Sequence, residues 1–109
     1  MPNLPTEFHH GGCDWTIVRD SAVLQAQERR GLSRLDKLEV AIDDTLPIVI
    51  QRLTLLHELI HVSLRSLAGG DYPEERFALV TEEGLFALLT DNPQLRHFIW
   101  PEDVADDAG

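Results

Sequence analysis

The chain contains one cysteine, Cys13, in 109 residues, so no disulfide can close within it, and a reducing, cytoplasmic setting is the expectation. Basic residues are also scarce: nine Lys and Arg stand against nineteen Asp and Glu, a formal charge of −10. Nucleic acid is therefore not expected as a partner, because phosphate binding needs a cationic surface. An anionic membrane surface is disfavoured for the same reason. The charge suits a basic partner or, more plainly, keeps a small protein soluble. No apolar run approaches the length of a membrane span. The first ten residues lack a basic start and an apolar core, so no secretory signal is expected. The 43% of hydrophobic residues is enough for one modest core and one domain.

Punctuation by Gly and Pro divides the rest. Residues 1–12 carry two prolines, Gly11-Gly12 and the pair His9-His10, and read as a flexible or extended arm. Trp15-Thr16-Ile17-Val18 is rich in β-formers and predicts a strand. Asp20 to Arg30 suits a short helix ended by Gly31. Leu38 to Asp43 alternates apolar and polar residues, as a half-buried strand does. Asp43-Asp44-Thr45 supplies cap chemistry, and Pro47 suits a first helical turn. A long helix then runs to about Leu67, with Val49, Leu53, Leu56, Ile60 and Leu64 as its expected core positions and Gly69-Gly70 as its stop. A second long helix runs from Pro73 or Glu74 to about Thr90, with Phe77, Leu79, Val80, Leu85, Phe86, Leu88 and Leu89 inside. Asp91-Asn92-Pro93 ends it. A short helix follows to Trp100, where Phe98, Ile99 and Trp100 are expected in the core, and residues 102–109 read as a disordered acidic tail. The fold class is α+β: a short β-sheet packed on two long helices with a short C-terminal helix, occupying residues 13–101.

The most informative stretch is His57-Glu58-Leu59-Ile60-His61. Residues four apart lie one above the other on a helix, so both imidazoles can reach one ion. Glu58 lies about 100° round from His57, where it can serve a metal-held water. This is the spacing of zinc peptidases, with two histidines on Zn²⁺ and a glutamate as general base. At ordinary residue usage the pattern arises by chance in roughly one such short chain in a hundred. The bland alternative is a half-buried helix whose histidines merely hydrogen-bond to neighbours.

Catalytic zinc takes three protein ligands and keeps one position open. A third histidine at metzincin spacing is excluded, since that position is Leu67. The next helix offers Glu75, Glu82 and Glu83, and the short one offers His97. Glu75 and Glu82 share a face with Leu79, Phe86 and Leu89, where a carboxylate is costly without a cation. Two turns separate them, so only one can reach the ion. Glu75 lies nearer the loop from the histidine helix and is preferred; the bland alternative for both is an ordinary helix-surface acid, which at Glu75 simply complements the dipole of the first turn. Cys13 and His9-His10 lack a context that would make them ligands.

Thr54-Leu55-Leu56-His57-Glu58-Leu59-Ile60-His61, followed by Glu75, an apolar helix and Asp91-Asn92-Pro93, resembles the small phage and prophage-encoded zinc metallopeptidase-like proteins related to the ImmA/IrrE group. The likeness spans roughly Trp15 to Trp100. It implies a minimal zincin fold, His57 and His61 as ligands and Glu58 as base. Glu75 follows as third ligand, because Glu75-Arg76-Phe77-Ala78 is similar to the Glu-x-x-Ala start of that group's ligand helix. Leu79 departs from the Asn expected there.

The leading expectation is thus a zinc-dependent peptidase acting on a protein or peptide. Tyr72 is a candidate oxyanion donor or a packing residue, and the strand at Leu38 to Ile42 is a candidate for aligning an extended substrate. The alternatives are a non-catalytic zinc-binding module docking a basic protein and a metal-free helical interaction protein.

Overall fold

A hairpin opens the fold. Strand β1 (Glu7–His10) turns at Gly11-Gly12 and pairs antiparallel with β2 (Cys13–Arg19), setting Phe8 opposite Trp15. Their rings stack at 5.7 Å between centroids. The computed structural model describes residues 3–64 and 74–101, without the side chains of 74–80. The expected arm at 1–12 is therefore corrected: Phe8 and Leu4 are buried, and Glu7–His10 is a strand of the sheet. Pro and Gly density suggested irregular chain, but Gly11-Gly12 is a hairpin turn between two paired strands.

Helix α1 (Ser21–Ala26) leads to β3 (Gly31–Arg34), a short 3₁₀ turn (Leu35–Lys37) and β4 (Glu39–Ile42). The sheet order is β1-β2-β4-β3, with β4 parallel to β2 and antiparallel to β3. Arg34 faces Glu39 across the β3–β4 register and bonds its carboxylate at 2.6 Å. The strand expected at Leu38 to Asp43 is present, but it lies inside the sheet. Val40, Ala41 and Ile42 are all buried, so it is covered on both faces rather than one.

Asp43 then organises the turn into the long helix. Its carboxylate accepts from the Thr45 backbone N–H at 3.0 Å and the Thr45 hydroxyl at 2.6 Å. Gln51 reaches back to the carbonyls of Asp44 and Leu46. Helix α2 (Ile48–Ser63) starts behind Pro47, which sits at the cap position itself. Helices α3 (Glu74–Asp91) and α4 (Pro93–Ile99) follow. The α+β architecture is thus one four-stranded sheet with helices against it. Phe8, Trp15, Ile17, Val40 and Ile42 from the sheet meet Leu55, Leu59 and Val62 of α2, Leu88 of α3, and Leu95, Phe98 and Ile99 of α4. No helix among the described residues is long and apolar enough to cross a membrane.

Three expected core assignments are corrected. On α2, Val49 and Leu53 are 57% and 59% exposed, and Leu56, Ile60 and Leu64 are only half-buried. The buried stripe is Gln51, Thr54, Leu55, Glu58, Leu59, Val62 and Ser63. Apolar residues occupy nearly every side of this helix, so their spacing alone does not choose the inward face. On α3, Phe86 is 72% exposed and Glu82 and Glu83 face solvent, while Leu88 is buried. The face that carries α3 against α2 is marked by Gly84, whose missing Cβ would lie 2.8 Å from Ser63 Cβ. Near the end, Phe98 and Ile99 join the core but Trp100 is 52% exposed. The Gly69-Gly70 stop, the side chains of Phe77, Leu79 and Val80, and the tail 102–109 lie outside the described residues.

Asn92 closes one edge of the sheet. Buried to 1% exposure, it accepts from the His9 backbone N–H and donates to the His9 carbonyl, both at 2.8 Å, and also donates to Leu88 O at 2.9 Å. Its amide thus imitates a neighbouring strand. Asn92→Ala leaves two backbone groups of β1 without those partners and should cost roughly 2–4 kcal/mol, read as a lower denaturant midpoint at unchanged slope.

The Asp43 carboxyl is held below its ordinary value chiefly by the Thr45 hydroxyl, against the opposing effect of burial. A depressed folded-state value stabilises the protein above the unfolded value near 3.8, and that stability is lost as pH falls through the folded value. Thr45→Val should therefore lower stability at neutral pH, and the gap to wild type should narrow as pH falls below that range. Acid titrations of both proteins followed by circular dichroism check this.

Candidate metal centre

The site rests on the approach of strand β3 to helix α2. Gly31 begins β3, and a Cβ there would lie 2.6 Å from Thr54 Cγ2, 3.1 Å from the Ala41 carbonyl oxygen and 3.3 Å from Glu58 Oε2. Only glycine lets the strand lie this close to the helix. Two residues on, the Ser33 hydroxyl donates to Glu58 Oε1 at 2.6 Å, and lies 3.3 Å from the Glu58 carbonyl oxygen. The carboxylate is thereby fixed between β3 and α2. Glu58 is only 6% exposed, and a buried carboxylate requires such a donor.

His57 and His61 stand on the outward side of the same helix, and both are exposed. Their Nε2 atoms are 3.3 Å apart, with the rings edge-to-face at 74°. Two nitrogens held about 2.0–2.1 Å from one tetrahedral zinc lie about 3.3–3.4 Å apart. The pair therefore fits a zinc ion. The same separation suits a hydrogen bond from one ring's Nε2–H to the other's lone pair, so the rings also satisfy each other without an ion.

All three residues line one cavity of about 590 Å³. Its other walls are Arg29, Arg30, Gly31, Leu32, Ser33 and Leu35 on the strand side, and Leu53 and Thr54 on the helix. Leu53, His57 and His61 form a column at four-residue steps, so the exposed Leu53 provides an apolar shelf beside the imidazoles. The strand side belongs to the sheet's outer strand. Among the described residues β3 pairs with β4 alone, and its first three residues face the cavity.

The structure brings together His57, Glu58 and His61 as the spacing predicts. Among the described residues no group of three or more His, Cys, Asp or Glu side chains converges as a metal cluster. Glu75 lies in the first turn of α3, and its side chain is outside the described residues, as is Tyr72. Glu82, Glu83 and His97 are exposed and do not line the cavity. Glu82 shares its face with Phe86, and both are exposed, so its carboxylate needs no cation to offset burial. Cys13 begins β2, and His9 pairs with Asp14 at 2.5 Å in the β1–β2 hairpin, with no part in the cavity.

The strand proposed from sequence to align a substrate is also corrected. Both edges of β4 are paired, to β2 and to β3, so no peptide can add to it. The residues that sequence reasoning missed are Gly31, Ser33, Arg29, Arg30 and Leu53. A glycine opening a short strand was the one available signal, and it reads equally as a helix stop. No family model, curated protein or solved structure matches this chain.

Gly31→Ala should cost about 1–3 kcal/mol by driving β3 from α2. Thr54→Ser removes the nearest obstructing atom, so the double variant should recover part of the loss, whereas the Ala41 carbonyl keeps the recovery incomplete. Urea unfolding of the two single variants and the double variant measures the coupling.

Proposed function

We propose that the chain is a zinc-dependent peptidase that hydrolyses a peptide bond in the cavity between β3 and α2. The observation that carries this is the 3.3 Å separation of the His57 and His61 Nε2 atoms on a cavity wall shared with Glu58. Zinc held there supplies Lewis acidity, which brings the pKa of its water toward neutrality and polarises the substrate carbonyl. His57 and His61 contribute two nitrogen ligands, and Glu75 is the preferred third, from the sequence alone.

The chain's own residues divide the remaining work. Ser33 donates to Glu58 Oε1 and keeps the carboxylate aimed from the wall of the cavity. Glu58 accepts the attacking water's proton and delivers it to the departing amine. The free edge of β3 aligns an extended peptide by main-chain hydrogen bonds, the role that β4 cannot fill. Leu53 receives an apolar side chain of the substrate beside the imidazoles. A cavity that carries His57, Glu58 and His61 on one wall, bordered by a strand edge unpaired among the described residues, supports this reading over a zinc-binding docking module, which has no need of a base beside the ion.

Two variants test it. Glu58→Gln should retain zinc at wild-type stoichiometry by atomic absorption yet lower kcat on an unfolded protein substrate by about 10²–10⁴-fold. His57→Ala should lose zinc. A Glu58→Gln protein that cleaves at the wild-type rate would sink the assignment of the base, and full zinc occupancy in His57→Ala would remove His57 from the ligand set.

A further inference from the structure

The charge of the cavity mouth runs against that of the molecule. The chain carries an excess of ten negative charges, yet two adjacent arginines, Arg29 and Arg30, line the cavity. The other arginines whose side chains are described are engaged. Arg19 pairs with Asp44, and Arg34 pairs with Asp20 and Glu39. Arg52 and Arg96 donate to the carbonyls of Phe98 and Leu89. Arg29 and Arg30 are exposed and make no ion pair or side-chain hydrogen bond among the described residues. In so acidic a chain, two adjacent guanidiniums thus stand at the same cavity with no carboxylate partner among the described residues.

Their backbone is nonetheless fixed. The Arg29 N–H donates to the Leu24 carbonyl at 2.9 Å, closing the end of α1. The Arg30 carbonyl accepts from the Asp43 N–H at 2.9 Å, continuing the β3–β4 ladder past Gly31. Both side chains therefore start from a held main chain at the head of the free strand.

We propose that Arg29 and Arg30 form a carboxylate-binding subsite at the mouth of the cavity and select peptides bearing an acidic group there. This rests on the peptidase reading and deepens it by naming the substrate class. The guanidinium fork matches a carboxylate in shape and charge. The position follows from the strand. Ser33 marks Glu58, and Arg30 lies three residues earlier on an extended chain, about 10 Å away at 3.3 Å per residue. A peptide lying along β3 meets the arginines about three residues from the bond opposite Glu58. The carboxylate is either an Asp or Glu side chain at that place or the carboxyl terminus of a peptide ending there.

The test measures binding as well as cleavage. Zinc-loaded Glu58→Gln protein is titrated into fluorescein-labelled ten-residue peptide libraries, each with Glu or Gln fixed at one position, and read by fluorescence anisotropy. One set has amidated C-termini and the other free carboxylates. A side-chain source gives about three- to tenfold tighter binding for Glu over Gln at one position of the amidated set. A terminal source gives the same preference for the free over the amidated peptides. With Arg29→Gln and Arg30→Gln added, the preference should fall to near one, and with both residues changed to Lys it should survive in part. Equal binding of acidic and neutral peptides overturns the subsite, as does a preference unchanged by the Gln variants. Cleavage by the wild type without any acidic preference overturns the subsite and leaves the peptidase standing. Absence of both binding and cleavage overturns the two together.

Discussion

One close contact sets the geometry of everything near the histidines: the seating of strand β3 on helix α2, where Gly31 meets Thr54 and Ser33 holds Glu58. A Cβ at Gly31 would lie 2.6 Å from Thr54 Cγ2, about 1 Å inside ordinary contact, so the strand or the threonine would have to give. Any such shift lengthens the 2.6 Å bond from the Ser33 hydroxyl and weakens the side-chain donor that holds the largely buried Glu58. The same seating makes one wall of the cavity from strand and the opposite wall from helix. Packing and site are thus a single arrangement.

The two ends of the sheet are treated in opposite ways. At β1, Asn92 supplies a side-chain amide to the backbone of His9, and Gln94 donates to the Glu7 carbonyl. These bonds satisfy an edge that would otherwise invite pairing with another chain. At β3 no comparable cover is present among the described residues, and that edge lies along the cavity. Asn92-Pro93, read in the sequence as mere punctuation after a helix, is what makes this asymmetry visible.

What was legible in the sequence followed from local rules. The four-residue step of His57 and His61 puts both rings on one side of a helix whatever that helix packs against, so their meeting was predictable. Strands β2 and β4 announced themselves through β-branched and alternating residues. Long-range choices were not legible. Strand β1 is defined by its partner across a glycine turn, and β3 is short, with Arg and Ser among its residues. The inward face of α2 is not legible in its spacing because apolar residues surround it. That face is set by Leu55, Leu59 and Val62 in the core together with the contact of Thr54 and Glu58 with β3, all between segments distant in sequence. The α3 assignment failed similarly: Leu88 and Gly84 choose its inward face, and Phe86 is left outside.

The distribution of burial within the motif bears on the choice between a structural and a catalytic ion. A structural zinc is closed, with four protein ligands withdrawn from solvent. Here the polarity is reversed. The imidazoles stand exposed in the wall of a cavity, and Glu58, largely buried, lines that same wall with its carboxylate held by Ser33. Burial of Glu58 is compensated by one serine hydroxyl, which fixes Oε1 in place; a group needed only for solubility would be left in water. A mutual hydrogen bond explains the rings equally well, but it asks nothing of Glu58, of Gly31 or of the uncovered strand opposite. Under the proposed function, an ion with an open coordination position gives the imidazoles, Glu58 and the strand opposite a shared task, beyond the packing that joins Gly31 to Thr54 and Ser33 to Glu58.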